Sequence, residues 1–338
     1  MTHQIQIADT DVTFACGEQQ SVLDAALKAG IEMPYSCRKG VCGNCAGSVL
    51  QGEVTGVGGA AIRNEICAQD QVLFCMCTPT TDTVVAPTSW QRIDPDARKS
   101  FTAKVYRNQL AAPDVSVLQL RLPAGQRAKF KAGQYLQIVM QDGTCRSYSM
   151  ANPPQESDAV TLHIRHVPGG RFTALVPQLQ PGDLVQIELP FGSFALREDT
   201  DRPMVCVAGG TGFAPIKSIL DDMVKRRIHR PVTLFWGARQ DDGIYLLPAV
   251  ARWQKMLPGF RFVPAVSDVA QSAIPDAHIG LVHEAMLAHC ESLAGHELYC
   301  CGAPGMVSAV HAAAVDKLGL AARDFHSDVF VPGGAATT

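Results

Sequence analysis

The sequence predicts a multidomain protein of α+β and α/β class: a small mixed domain, an antiparallel β-barrel and a doubly wound parallel sheet, in that order. Its 338 residues exceed one ordinary hydrophobic core and favour two or three domains. Apolar residues recur with a period of two from Phe101 onward, and strand and helix patterns alternate from Met204 onward. The segment before Phe101 differs from both because it carries a closely spaced group of cysteines.

The composition is that of a well-packed globular protein, with 47% hydrophobic and 18% charged residues. A net charge of −3 and the lack of a polybasic run give no reason to expect nucleic acid as a partner. Met1–Ile7 shows no secretory signal pattern, and no apolar run approaches the roughly 20 residues of a membrane span. Twelve cysteines then favour metal or redox chemistry over disulfides, so we expect a cytoplasmic protein without membrane contact.

The first domain contains a cysteine motif with the spacing C-x4-C-x2-C-x29-C, formed by Cys37, Cys42, Cys45 and Cys75. This is the plant-type ferredoxin spacing, in which four thiolates hold a [2Fe–2S] cluster. Gly40 and Gly43 lie inside the loop, where glycine allows positive φ and a close wrap of the backbone. The amides of such a loop can point at the cluster and stabilise its negative charge.

Two alternatives concern this motif. A zinc site usually pairs its cysteines as two short C-x2–4-C knuckles, and free structural thiols need no spacing at all. The fourth ligand is less fixed, because Cys77 and Cys67 lie close to Cys75 in sequence. Cys75 ends the apolar run Val72–Phe74, which favours it as a ligand at the end of a buried strand.

Residues 1–87 are predicted to form one domain. Gln4–Ile7 alternates as a strand does, Ser21 is a plausible N-cap of a helix, and Gly30 closes that helix. The order of hairpin, helix, cysteine loop and strand resembles the β-grasp of [2Fe–2S] ferredoxins. Residues 88–100, which include Pro95, are polar and lack a sustained period, so they are predicted to be a linker.

Residues 101–198 are predicted to form the antiparallel barrel, because several short alternating strands follow one another closely. Asp142–Gly143 is a hairpin signal. The predicted strands are Val115–Leu122, Tyr135–Val139, Val160–Arg165 and Leu184–Leu189.

Within this barrel, Arg146, Tyr148 and Ser149 form the motif R-x-Y-S. The motif resembles the flavin-binding motif of ferredoxin–NADP reductase-type proteins. The resemblance implies that the arginine meets the flavin pyrophosphate, the tyrosine lies against the isoalloxazine ring and the serine hydroxyl bonds to flavin N5. The alternative is an ordinary hairpin strand with a solvent-facing Arg146.

The resemblance implies further FAD contacts in two stretches that follow. Gly170–Thr173 also has the pattern of a helix start, where backbone N–H groups favour phosphate. The residues concerned are His163, Ile164, Arg165, Gly170, Phe172 and Thr173.

Residues 199–332 are predicted to form a parallel sheet with right-handed crossovers. The strand Met204–Ala208 runs into Gly209–Pro215, a glycine loop that lacks the generic dinucleotide pattern G-x-G-x-x-G. The text G-G-T-G-x-A-P is similar to the nicotinamide-domain signature of the same reductase family. This similarity implies nucleotide contacts at Gly210, Thr211, Gly212, Pro215, Gly237, Cys301, Gly302 and Met306. Cys301 has the alternative of being a small core residue.

The choice between NADPH and NADH depends on the end of the second strand of this sheet, where an acidic residue favours NADH. Here Gly237 and Ala238 are followed by Arg239, and an arginine suits the 2′-phosphate of NADPH. Asp241 and Asp242 lie close by and leave NADH open. We therefore expect NADPH, rather than NADH, as the electron donor.

The C-terminal segment Phe325–Phe330 is similar to the acid-x-aromatic ending of the family. The resemblance implies that Phe330 covers the flavin and that Asp328 assists protonation; a plainly packed phenylalanine is the alternative. Residues 333–338 extend beyond the family's ending and are predicted to be a tail.

The three modules in this order resemble the reductase components of bacterial ring-hydroxylating oxygenases. The resemblance implies an enzyme that carries FAD and a [2Fe–2S] cluster and passes electrons from NADPH to a Rieske-type terminal oxygenase. Ser149, Cys301 and Asp328 are the expected catalytic residues. The higher potential of a Rieske centre makes electron delivery from a plant-type cluster favourable.

Two alternative functions remain. A reductase of the CDP-6-deoxy-glucoseen type, which feeds a deoxysugar dehydratase, resembles this layout and shares much of the glycine-loop text. A redox sensor or electron carrier without turnover is the other alternative.

Overall fold

The computed structural model describes residues 2–64, 67–94 and 97–331. The chain divides into two compact units. The first unit comprises the residues up to Arg98 together with Gly192–Phe194, and the second comprises Lys99–Phe191 and the residues from Ala195 onward. The predicted tail 333–338 and the predicted domain end at residue 332 lie outside the described residues. No helix in the described ranges is both long and apolar enough to cross a bilayer.

The first unit is a mixed sheet with one α-helix packed against it. Its main sheet has the strand order β2-β1-β8-β4-β6, in which only β1 and β8 pair in parallel. Two short antiparallel pairs, β3 with β9 and β5 with β7, lie outside this sheet. The strands are β1 Thr2–Ile7, β2 Thr13–Gly17, β3 Ile31–Glu32, β4 Ala46–Gln51, β5 Val54–Gly56, β6 Gln71–Leu73, β7 Cys77–Pro79, β8 Thr83–Pro87 and β9 Gln91–Arg92.

Helix α1, Val22–Lys28, begins and ends where the sequence indicated. The Ser21 hydroxyl accepts a hydrogen bond from the Asp24 amide at 3.0 Å, which confirms Ser21 as the N-cap. Gly30 follows the helix with a φ of 73°, a conformation that glycine adopts at little cost. The helix buries its apolar residues in the core of this unit.

The segment predicted to be a linker, residues 88–100, is partly structured. Strand β9 within it pairs with β3, and Trp90 and Ile93 pack against the core of the first unit. The packing of this segment could not be predicted from its polar composition, because only two apolar side chains contribute to it. The next strand already begins at Lys99.

The second unit begins with the predicted antiparallel barrel, in the strand order β13-β12-β15-β10-β11-β14. A bridge between Met150 and Leu162 joins the two edge strands and closes the barrel. The hairpin at Asp142–Gly143 is confirmed, with Gly143 at a φ of 77°. The strands are β10 Lys99–Ala112, β11 Val115–Arg121, β12 Tyr135–Val139, β13 Cys145–Ser149, β14 Ala159–Arg165 and β15 Leu184–Phe191.

A parallel sheet with helices follows in the same unit, in the strand order β19-β18-β17-β16-β20-β21. The strand order reverses between β16 and β20, so the loop after β16 opens at a topological switch point. The strands are β16 Met204–Gly209, β17 Val232–Ala238, β18 Arg261–Val266, β19 His278–Ile279, β20 Glu297–Gly302 and β21 Phe325–Val329. The α-helices are α2 Phe213–Arg226, α3 Leu247–Met256, α4 Val282–His289 and α5 Pro304–Ala312.

Short 3-10 helices and one π-helical segment complete the described chain. The 3-10 helices are Val57–Gly59, Val176–Gln178, Gly210–Gly212, Asp241–Gly243 and Ala322–Asp324, and the π-helix is Ala313–Lys317.

A buried charge network anchors the parallel sheet at the start of β20. The Glu297 side chain is fully buried and accepts hydrogen bonds from Arg202 at 2.9 Å and Arg230 at 2.7 Å. The Tyr299 hydroxyl donates to the same carboxylate at 3.1 Å. Because Arg230 is itself only 3% exposed, removing the carboxylate leaves a buried cation without its counterion.

We predict that Glu297→Gln lowers the free energy of unfolding of the second unit by about 3–5 kcal/mol, the usual cost of breaking a buried pair. Urea denaturation followed by tryptophan fluorescence measures this, since Trp236 and Trp253 both lie in the parallel-sheet part. Glu198→Gln is the matched control, because Glu198 pairs with Arg226 at the surface and should change stability little. Equal effects of the two substitutions would contradict the prediction.

Candidate functional site

The four motif cysteines come together in the first unit as two hydrogen-bonded pairs. The Cys37 sulfur pairs with the Cys42 thiol, and the Cys75 sulfur pairs with the Cys45 thiol. Across the described ranges, no group of three or more His, Cys, Asp or Glu side chains is arranged around one metal ion. Two thiol pairs are the arrangement that suits two irons, each held by two cysteines.

The protonation of these thiols follows from their contacts. The hydrogen bond from Cys42, helped by backbone amides, lowers the pKa of Cys37 below its usual value although burial acts against it. The Cys45 thiol lowers the pKa of Cys75 in the same way. Metal binding needs thiolates, so one member of each pair is already disposed to deprotonate. The residues therefore fit a [2Fe–2S] cluster.

The neighbouring cysteines are placed differently. Cys77 is fully buried in the hydrophobic core of the first unit, and burial raises its pKa to about 12. Cys67 is half-buried, and burial raises its pKa as well. This placement is consistent with Cys75 as the fourth ligand, which the sequence already favours over Cys77.

The loop depends on its glycines. Gly40 and Gly43 both have a φ of 74°, in the left-handed region. A Cβ on Gly40 would lie 2.9 Å from Cγ of Met76, so a larger residue would also meet a side chain there. The glycines let the loop fold tightly around the cysteines.

The flavin motif occupies β13, at the edge where the barrel closes. Ser149 is buried, whereas Arg146 and Tyr148 are half-buried. The Tyr148 ring packs against Phe172 with ring centres 5.7 Å apart. The Arg146 guanidinium donates to the carbonyl of Cys145 at 2.8 Å, and within the described chain it forms no ion pair. An arginine without a carboxylate partner fits a cofactor phosphate.

The side chains of His163–Arg165 lie alternately on the two faces of β14. Ile164 points into the barrel core, so only its backbone is available to a ligand. His163 bonds through Nδ1 to the Tyr245 hydroxyl at 3.0 Å, and burial lowers the pKa of this histidine to about 3. Arg165 pairs with Asp114. Its Nη2 would lie 2.9 Å from a Cβ on Gly210.

The expectation of a helix start at Gly170–Thr173 is wrong. The segment forms consecutive turns that lead into the 3-10 helix Val176–Gln178. The Thr173 hydroxyl donates to the Val167 carbonyl at 3.2 Å, which closes the turn. Phe172 is buried in the barrel core.

The glycine loop forms a tight turn between β16 and α2. Gly210 has a φ of 53°, and a Cβ on Gly212 would lie 2.1 Å from the Cys301 carbonyl oxygen. Helix α2 begins at Phe213, directly after the turn, with Pro215 buried in its first turn. Free N–H groups at a helix start form a cradle for phosphate. The turn, with half-exposed Gly210 and Thr211, therefore fits a dinucleotide pyrophosphate.

The second part of the expected nucleotide site packs against this turn. A Cβ on Gly209 would lie 2.3 Å from Sδ of Met306, and a Cβ on Gly302 would lie 2.7 Å from Cε of Met306. The side chain of Met306 therefore fills the space that these glycines leave. Gly237 is crowded in the same way by Val282, at 2.9 Å.

The three expected catalytic residues meet where the barrel and the parallel sheet join. Asp328 on β21 lies opposite Cys301 on β20. The Ser149 hydroxyl donates to Oδ2 of Asp328 at 3.0 Å, and both residues are buried. Burial is the main cause that raises the pKa of Cys301 well above its usual value, so this thiol stays neutral. Phe330 follows half-buried, its amide bonded to the Gly302 carbonyl at 2.9 Å.

The residues around Arg239 bear on nucleotide choice. Arg239 is exposed just after β17. The two oxygens of Asp241 accept hydrogen bonds from the Ser272 hydroxyl at 2.6 Å and the Ala273 amide at 2.7 Å. Asp241 therefore serves to hold the loop of residues 272–273.

An aromatic cluster that no local sequence pattern indicates lies behind the glycine turn. Phe213 stacks on Trp236 with ring centres 3.7 Å apart, and Tyr245 meets both rings edge-on. Tyr245 gave no signal, because its role depends on His163, which is 82 positions away in the chain. The Trp236 indole also donates to the Gly210 carbonyl at 3.1 Å and so holds the turn.

Three domain families match consecutive parts of the chain. A 2Fe-2S iron-sulfur cluster binding domain matches residues 5–80, an oxidoreductase FAD-binding domain matches residues 102–196, and an oxidoreductase NAD-binding domain matches residues 206–312. These are the modules that the sequence predicted, in the predicted order.

Known proteins resemble the chain over its whole length. Terephthalate 1,2-dioxygenase reductase component 2 from Comamonas sp is 58% identical over 333 residues, which cover 98% of each chain. The CDP-6-deoxy-L-threo-D-glycero-4-hexulose-3-dehydrase reductase of Yersinia pseudotuberculosis is 31% identical, over 98% of this chain and 99% of that protein. The crystal structure of the Amycolatopsis cytochrome P450 reductase GcoB matches with a TM-score of 0.79 and 33% identity, over 98% of this chain and 99% of that one.

We predict that Cys75→Ser abolishes the visible absorbance of the cluster and leaves the flavin bands in place. The serine oxygen is a poor substitute for the thiolate that faces Cys45. Absorbance spectra and iron content of the purified protein measure the effect. Cys77→Ala is the control, because Cys77 lies in the core and should leave the cluster intact. Loss of the cluster in the control alone would transfer the ligand role to Cys77.

Proposed function

The chain belongs to the family of flavin and iron–sulfur reductases that includes the reductase components of terephthalate 1,2-dioxygenase, and we propose that it passes electrons from NADPH through FAD and a [2Fe–2S] cluster to the Rieske-type terminal oxygenase of that system. The observation that carries the proposal is 58% identity over 98% of both chains. This identity extends over all three modules and over the segments that connect them, so the two proteins share the order of the modules.

The order of the modules suits the electron count of the reaction. When bound, FAD takes two electrons as hydride from the nicotinamide and releases them singly, as a one-electron cluster requires. The chain contributes the placement and tuning of these groups. Arg146 and Tyr148 on β13 would hold the FAD, the glycine turn Gly210–Gly212 would hold the nucleotide, and the four cysteines would hold the cluster.

The contact between Ser149 and Asp328 places a carboxylate beside the serine that is expected to meet flavin N5. N5 of an oxidised flavin accepts a hydrogen bond, so the Ser149 hydroxyl, which here donates to Asp328, would turn its proton toward N5 when FAD is bound. Cys301 lies next to Asp328 on the neighbouring strand as a neutral thiol. It would pack beside the nicotinamide without adding charge. Phe330 would cover the flavin, and Asp328 would assist proton movement at Ser149.

The choice of NADPH rests on Arg239. Its guanidinium is exposed at the end of β17 and, over the described ranges, forms no ion pair. Asp241, one of the two acidic candidates for an NADH ribose, already uses both carboxylate oxygens to accept hydrogen bonds from residues 272–273. A free arginine and an occupied carboxylate together favour a nucleotide with a 2′-phosphate.

The choice of partner rests on similarity. The dioxygenase reductase is 58% identical and the deoxysugar-pathway reductase is 31% identical, over almost the same length. A terminal oxygenase is therefore the better acceptor than a dehydratase. None of the twelve cysteines, all of which lie in the described part of the chain, forms a disulfide. Cysteines without disulfides are typical of a reducing compartment and support the cytoplasmic location.

Reconstitution tests the proposed function. Purified reductase and NADPH are combined either with the oxygenase component of terephthalate 1,2-dioxygenase and terephthalate, or with a CDP-deoxysugar dehydratase and its substrate. We expect product only with the oxygenase, together with rapid NADPH-dependent reduction of added cytochrome c. Turnover only with the dehydratase would favour the second function. Cofactors that NADPH does not reduce would indicate a sensor or carrier.

We predict that Arg239→Ala raises KM for NADPH by about tenfold or more and leaves KM for NADH almost unchanged. The expected loss corresponds to one charge-assisted hydrogen bond, about 1.5–3 kcal/mol. Steady-state reduction of cytochrome c with each nucleotide measures both constants. Arg323→Ala, another exposed arginine of the same unit, serves as the control. An equal rise of KM for both nucleotides in Arg239→Ala would refute the 2′-phosphate contact.

A further inference from the structure

The side chain of Asn64 ties the cluster loop to a neighbouring segment of the first unit. Its Nδ2 donates to the carbonyl oxygens of Gly40 at 3.0 Å and Val41 at 3.1 Å. Its Oδ1 accepts from the Cys67 amide at 3.1 Å. Two carbonyl acceptors face the Nδ2 side of this side-chain amide and one N–H donor faces the Oδ1 side. These partners fix which end of the amide is nitrogen and which is oxygen. No motif in the sequence selects Asn64, which lies 20 positions after Asn44.

The two carbonyls that Asn64 holds belong to particular peptide groups. In a planar trans peptide, the C=O and the following N–H point in opposite directions. The Gly40 carbonyl shares its peptide group with the Val41 N–H, and the Val41 carbonyl shares its group with the Cys42 N–H. Fixing these carbonyls on Asn64 therefore aims both N–H groups the other way.

Both N–H groups meet the sulfur of Cys37. The Cys42 amide lies 3.4 Å from Sγ of Cys37, and the Val41 amide also hydrogen-bonds to this sulfur. The Lys39 amide makes a similar contact at 3.4 Å, although Asn64 does not hold its peptide group. Two of these three amide contacts to Cys37 thus depend on a side chain outside the loop.

We propose that Asn64 is a positioning residue for the [2Fe–2S] cluster, which aims the Val41 and Cys42 amides at the Cys37 sulfur and thereby raises the reduction potential of the cluster. Hydrogen bonds to the cluster sulfurs stabilise the more negative, reduced form. The proposal rests on the cluster that the proposed function requires, and not on the identity of the electron acceptor.

The test uses the full-length protein with its native cofactors. Asn64→Ala removes all three hydrogen bonds without adding charge. Thr78→Val is the matched control in the same unit, because the Thr78 hydroxyl lies 3.2 and 3.1 Å from the carbonyls of Gly17 and Glu18, two residues outside the cluster loop. The midpoint potential is measured by redox titration of the visible spectrum. Cluster loss is timed after addition of an iron chelator.

We expect Asn64→Ala to shift the midpoint potential downward and to lose its cluster about tenfold faster than the wild type, as removal of an outer-shell partner commonly does. Thr78→Val should retain the wild-type potential and rate. A wild-type potential in Asn64→Ala, or the same shift in Thr78→Val, would overturn the inference. Asn64→Ser, which keeps one donor, provides the same readout if Asn64→Ala does not retain a cluster.

The proposed function and this inference fail in different ways. A wild-type protein that holds no cluster would remove the basis of both. A wild-type protein with a reducible cluster, whose potential is unchanged in the Asn64 variants, would refute the positioning role alone.

Discussion

The close approach of the glycine turn to the Cys301 carbonyl is the constraint on which the second unit depends. A Cβ on Gly212 would lie 2.1 Å from this oxygen, so the backbone of the turn occupies the place of a side chain. The contact sets the start of α2 against β20, and β20 in turn carries Asp328 beside it on β21. A turn displaced by one larger residue would shift the nucleotide cradle away from the residues expected to act on the flavin.

The barrel and the parallel sheet also need a firm joint, because the candidate catalytic residues come from both. The Ser149 hydroxyl reaches Asp328 across this joint. The Lys217 ammonium donates to the Ala151 carbonyl at 3.1 Å, and the Ser218 hydroxyl donates to the Asn152 carbonyl at 2.7 Å. These bonds run from α2 to the segment that follows β13, so the helix behind the glycine turn also holds the flavin strand in place. Hydride transfer requires such fixed geometry, since small displacements between reacting groups cost rate.

The cluster loop of the first unit also needs a backbone that is held in a fixed geometry. Its glycines let the loop fold around four sulfurs, but glycine alone leaves the direction of each N–H free. Asn64 orients two of these N–H groups, because it holds the carbonyls that point the opposite way from the same peptide groups. In both units, therefore, side chains outside the glycine-rich loop hold its carbonyls, in the segments where a negatively charged cofactor is expected.

The sequence by itself determined the modules, their order and the residue types of each site. Cysteine spacing, the change of period at Phe101 and the glycine loop after a strand are local signals, and local signals are set by backbone geometry within a few residues. It misjudged Gly170–Thr173, where a side-chain bond to Val167 favours a turn, and the linker, which packs through Trp90. Only the tertiary structure decided that Cys77 lies in the core, that Asp241 is occupied and that Tyr245 and Asn64 support the sites. Each of these depends on partners far apart in the chain, and no local pattern specifies which distant group will meet a side chain.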